Sequence, residues 1–82
     1  MKDDRGNIYF FTEIRNRTGD TVTHIWMYGD KTMARVPLPI GGPHWRTWSS
    51  KRLMQEWTGA WSVKVVDSEG NVLLKRHFDY IP

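Results

Sequence analysis

The sequence predicts an all-β fold: a small antiparallel β-sandwich, immunoglobulin-like or fibronectin type III-like, of about six or seven strands. Three observations predict it. Runs of roughly five to nine residues rich in aromatic and β-branched types recur along the chain, separated by short Gly, Asp, Asn and Pro clusters. Several runs alternate apolar and polar residues with the period of two that a half-buried strand requires. No stretch carries the longer period of a good amphipathic helix.

The first run, Asn7 to Arg15, sets Ile8, Phe10, Thr12 and Ile14 on one side and Tyr9, Phe11 and Glu13 on the other, so both faces carry large apolar groups near its start. Asn16-Arg17-Thr18-Gly19-Asp20 ends it. The second run, Thr21 to Tyr28, alternates Val22, His24, Trp26 and Tyr28 against Thr23, Ile25 and Met27, and Gly29-Asp30-Lys31 follows as a tight hairpin turn. In the third run, Thr32 to Leu38, Pro37 and the following Pro39 cannot donate to a ladder, which places this end at a sheet edge. After Ile40-Gly41-Gly42-Pro43, the fourth run from His44 to Ser50 puts Trp45, Thr47 and Ser49 opposite His44, Arg46 and Trp48. Lys51 to Trp57 contains good helix formers, and one helical turn capped by Ser50 is expected there. The fifth run, Gly59 to Val66, is the cleanest alternation, with Trp61, Val63 and Val65 on one side. Asp67 to Asn71 supplies a hairpin loop, and the sixth run, Val72 to Tyr80, aligns Val72, Leu74, Phe78 and Tyr80 with Arg76 interrupting. Trp26 and Trp61 are the expected fillers of the space of about 10 Å between the sheets, each indole contributing about 2–4 kcal/mol by burial.

A single domain over residues 7–82 is expected, preceded by a flexible segment at 1–6, and the opening Met-Lys-Asp-Asp-Arg-Gly is expected to mark a domain cut from a longer protein. Eighty-two residues leave room for one core. The hydrophobic fraction of 39% supports folding, while no window is apolar enough to span a membrane. Twelve Lys and Arg against nine Asp and Glu give +3, with both signs interspersed. That is a weak signal for nucleic acid, which calls for a dense basic surface. With no Cys there is no disulfide framework, thiolate metal site or cysteine nucleophile.

Val22-x-His24-x-Trp26, then Trp45-Arg46-Thr47-x-Ser49, then Gly59-x-Trp61-x-Val63-x-Val65-x-Asp67-x-x-Gly70-x-x-Leu73, then Phe78, together resemble a bacterial domain-of-unknown-function family. The resemblance covers about Tyr9 to Tyr80. It implies a domain at the C-terminal end of a longer protein, often behind a membrane segment or signal, and hence an extracytoplasmic setting. The family has no established activity, so no mechanism is implied. Trp48 and Trp57 depart from its usual pattern.

Five residues are candidates for binding: Trp45, Arg46, Trp48, Trp57 and His24. The first four form the densest aromatic and cationic cluster in the sequence. An exposed indole stacks on sugar rings or nucleobases, and Arg grips a carboxylate or phosphate through two hydrogen bonds. Alternation sends Trp45 and Trp48 to opposite faces, so one of them should be exposed. The competing structural reading plugs the sandwich end with one Trp and pairs Arg46 with Glu13, Glu56 or Asp79. His24, on an inward face, either bonds a carbonyl or a Ser or Thr hydroxyl, or opens onto a pocket.

No catalytic residues, metal ligands or cofactor are expected. Ser49, His24 and Asp67 come without a strand-to-helix elbow, and the three His show no ligand spacing. No pair of carboxylates suggests glycoside hydrolysis, and Gly41-Gly42-Pro43 reads as a turn rather than a phosphate cradle. The expected function is a non-catalytic interaction or accessory domain of a larger bacterial protein, binding glycan or another envelope protein through the Trp and Arg surface. The alternatives are a small nucleic-acid-binding β-barrel and a purely structural spacer. A monomer that does not itself insert into membranes is expected.

Overall fold

A computed structural model describes residues 7–54 and 56–81. The N-terminal segment 1–6, expected above to be flexible, lies outside the described residues. Six strands are present: β1 (Asn7–Arg15), β2 (Thr21–Tyr28), β3 (Lys31–Pro39), β4 (His44–Arg52), β5 (Gly59–Val66) and β6 (Val72–Tyr80). They form two antiparallel sheets, a four-stranded one in the order β3-β2-β5-β6 and a two-stranded one of β1 and β4. The architecture is therefore the expected small β-sandwich rather than a closed barrel, and its two layers are unequal.

Hairpin chemistry explains the consecutive pairings. Tyr28 pairs with Lys31, leaving Gly29 and Asp30 as the two loop residues, and Gly29 takes a φ of 57°. A residue with a Cβ resists that conformation, so glycine is what permits the tight return. At the β5–β6 loop, Asp67 does the corresponding work through its side chain. Its Oδ1 accepts the Glu69 and Asn71 amides at 3.0 and 2.8 Å, and its Oδ2 accepts the Asn71 side-chain amide at 3.1 Å. The Asn71 amide is the largest reason that the Asp67 carboxyl stays below its ordinary value.

Pro37 and Pro39 fall on β3, an outer strand of its sheet, as their missing donors demand. The expected helical turn after Ser50 does not form among the described residues. β4 instead continues to Arg52, because Lys51 and Arg52 find partners in Ile8 and Asn7 of β1. Leu53 then turns into the core, and Met54 O accepts the Trp57 amide at 3.0 Å. Ladder pairing has outweighed local helix propensity here.

The interior is layered along the strands. At one end Ile14, Val22, Ile40 and Val65 pack together with Phe10, Leu38 and Leu74 beside them. At the other, Leu53, Trp61 and Tyr80 pack with Trp57, Tyr28 and Phe78. Trp26 and Trp61 are both fully buried, as the alternation predicts. Trp61 stacks between Tyr28 and Phe78, and its Nε1–H donates to the Trp57 carbonyl at 2.9 Å.

Candidate functional site

Between the two apolar ends lies a polar layer centred on His24, which is fully buried. Thr12 Oγ1 donates to the Thr47 carbonyl at 3.3 Å, so its hydroxyl proton is committed. Thr12 must then accept from His24 Nε2, 3.1 Å away. That assigns the neutral Nε2–H tautomer and leaves Nδ1 as acceptor for the Ser49 hydroxyl at 2.5 Å. Ser49 Oγ in turn accepts Trp26 Nε1–H at 3.1 Å. Each proton is used once, and the chain runs from β2 in one sheet to β1 and β4 in the other.

His24 therefore takes the structural alternative and is no part of an exposed surface. Burial holds its pKa at about 4, which keeps the ring uncharged at neutral pH. The Ser49–His24 distance is that of a nucleophile and its base. Yet Ser49 is buried at 4% exposure, and the far ring nitrogen of His24 meets Thr12 rather than a carboxylate. The other histidines lie elsewhere, His44 on β4 and His77 on β6, and no metal-binding group of three or more His, Asp or Glu occurs among the described residues.

The exposed chemistry is on the outer face of the β1–β4 sheet. Alternation turns Tyr9, Phe11, Glu13 and Arg15 outward on β1, and β4 sets Trp48 opposite Phe11, Arg46 opposite Glu13 and His44 opposite Arg15. Phe11 and Trp48 are 57% and 53% exposed, with ring centroids 6.2 Å apart, and the Tyr9 ring centroid lies 6.0 Å from that of Trp48. An open depression of about 420 Å³ runs between Phe11, Glu13, Arg46 and Trp48.

Glu13 is the acidic hub of this face. It accepts Arg15 at 2.9 Å, lies 2.8 Å from His44 Nε2, and stands 3.6 Å from Arg46 Nε. The Arg15 hydrogen bond, then that of His44, hold its carboxyl below the usual range. Arg46 is the most loosely held of the three, with 80% of its side chain exposed. Its guanidinium can leave a 3.6 Å pairing for a bidentate contact at little cost.

The structure thus separates the four clustered candidates. Trp48 and Arg46 share the outer face. Trp45 turns to the inner side and lies over Gly41 and Gly42 at the end of the sandwich, plugging it while remaining 37% exposed. Trp57 packs against the core around Trp61, with Lys51 Nζ 5.5 Å from its ring. Phe11 and Tyr9 join the surface without having been singled out from the sequence. Their signal was the presence of large apolar groups on both sides of the first run.

Fold and face together define a small two-sheet β domain with an aromatic and cationic outer surface. A family described as a protein of unknown function, DUF2914, matches residues 19–80, and the chain belongs to that family. No curated protein and no solved structure matches it.

Proposed function

We propose that this domain is a non-catalytic interaction module of a larger bacterial protein, and that it holds an anionic glycan of the cell envelope on the outer face of β1 and β4. The observation that carries this reading is the exposed Phe11–Trp48 pair with Arg46 beside it. Two large aromatic rings facing solvent side by side form surface that a monomeric domain rarely keeps without a use. Stacking on a sugar ring uses their faces, and Arg46 with Arg15 supplies the contact for a carboxylate.

The strand order β3-β2-β5-β6 over β1-β4 is read as immunoglobulin-like, with no strand of the described residues flanking the smaller sheet. In this reading Trp45 and Trp57 serve the fold, and the binding residues are Tyr9, Phe11, Arg46 and Trp48. The test is titration of the domain with acidic and neutral cell-wall oligosaccharides, followed by tryptophan emission. Trp48→Ala and Arg46→Ala are expected to keep the native circular dichroism spectrum and to weaken the acidic sugar by about tenfold each. Unfolding by both substitutions would make the face structural. Capture of an envelope protein in place of any sugar would change the ligand class.

A further inference from the structure

The two-stranded sheet does not cover the whole of the larger one. On β6 the inward side is set by pairing: Leu74 lies opposite Val65, Arg76 opposite Val63, and Phe78 opposite Trp61. Those β5 partners are buried, yet Arg76 on the same face is exposed. It stands where a sandwich normally places an apolar residue, and what it faces is a trough between β1 and β6. One part of this trough, about 330 Å³, is lined by Ile8, Phe10, Trp26, Val63, Arg76 and Phe78. A second part of about 220 Å³ lies beside Thr12, Glu13, Ile14, Val65, Leu73 and Leu74.

The upper rim of the trough is the edge of β1 turned away from β4, where no strand of the described residues pairs. The other outer strands carry the residues that discourage edge pairing: Lys31, Pro37 and Pro39 on β3, Lys51 on β4 and Lys75 on β6. β1, reading Asn-Ile-Tyr-Phe-Phe-Thr-Glu-Ile-Arg, has neither Lys nor Pro. Arg76 donates to the Lys75 carbonyl at 3.2 Å and has no carboxylate partner among the described residues.

We propose that this trough is a strand-addition site for an extended segment of a partner protein, which pairs with the open edge of β1 over Phe10 to Ile14. Alternate apolar side chains of that segment enter between Phe10, Val63 and Phe78, and one Asp or Glu meets Arg76. Main-chain pairing supplies affinity in such additions and the alternate side chains supply specificity. Charge decides the occupant. A second copy pairing through its own β1 would bring only Glu13, which faces outward and is already engaged by Arg15 and His44. This site shares β1 with the aromatic face but uses the strand's open edge and inner side, whereas Trp48 and Arg46 lie on β4.

The experiment pans a displayed library of random ten-residue peptides against the folded domain. Enriched peptides are expected to place an acidic residue among alternating apolar ones and to slow amide exchange in β1. Arg76→Glu is expected to weaken them about tenfold and to favour the same peptides with Lys at the acidic position. Arg76→Gln, which keeps the length and removes the charge, gives a second reading of the same loss. Trp48→Ala is expected to leave peptide binding unchanged, which keeps the two surfaces distinguishable. The proposal is overturned by a library that enriches nothing, by enriched peptides without an acidic residue, by protection confined to another edge, or by a β1-linked dimer.

Discussion

His24 carries a pH dependence that follows from its burial alone. Its ordinary value of 6.5 applies to the unfolded chain, whereas the folded ring sits at about 4. Between those values the unfolded chain takes up a proton that the native state refuses, so stability is complete above about pH 6.5 and declines as pH falls toward 4. The total effect is about 3 kcal/mol, since a tenfold change in proton affinity corresponds to roughly 1.4 kcal/mol. Urea unfolding at pH 7, 5.5 and 4.5 is expected to show a progressive loss that His24→Gln largely removes. A flat profile in the wild-type protein would mean that the ring is hydrated. The carboxyls of Glu13, Asp20 and Asp67 are all held below their ordinary values of 4.5, 3.8 and 3.8, so their losses set in at the acid end of this window and grow at lower pH.

The loops joining β1 to β2 and β3 to β4 form one unit, because Gly19 N donates to Ile40 O at 3.0 Å and Ile40 N returns to Asp20 O at 2.9 Å. Trp45 closes this end by resting on the bare backbone of Gly41. A Cβ there would lie 2.8 Å from Trp45 Cη2, too close to tolerate without movement. The indole has an open side, so it yields rather than the backbone. Gly41→Ala is therefore expected to shift tryptophan emission to longer wavelength at a cost below about 1 kcal/mol, and the shift should vanish in a Trp45→Phe background. A large loss of stability instead would show that the ring cannot move.

The strands themselves were legible from alternation, and the β3 edge from Pro37 and Pro39. The outward turn of Trp48 was legible as one of two possible outcomes. The end of β4 was not, since Lys51 and Arg52 acquire strand character from Asn7 and Ile8, which lie more than forty positions earlier. The placement of Trp57 follows from the same extension. Alternation stops where β4 stops, and the indole then folds back on Trp61 instead of joining Trp48. The partners of His24 were legible by type but not by number, because Thr12 and Ser49 reach it across the gap between sheets.

The inequality of the sheets sets the mechanics of the whole molecule. Among the described residues β2 and β5 each have neighbours on both sides, whereas β1 and β4 have only each other. A lone antiparallel pair is marginal in water, so the smaller sheet depends on what it packs against. Its attachment is apolar at both ends and polar in the middle, where Thr12 and Ser49 hold His24 and Trp26 of β2. Native-state hydrogen exchange is therefore expected to rank β2 and β5 slowest and β1 and β4 fastest, the smaller sheet opening before global unfolding. Ser49→Ala leaves Trp26 Nε1–H and His24 Nδ1 without their buried partner, a loss of about 1–3 kcal/mol. If the polar layer fastens one sheet to the other, that substitution accelerates exchange in β1 and β4 more than in β2 and β5. Equal acceleration in every strand would instead make the domain a single cooperative unit, in which neither sheet opens alone. Both proposed binding surfaces use β1, so a ligand at either one is expected to slow exchange in that strand first.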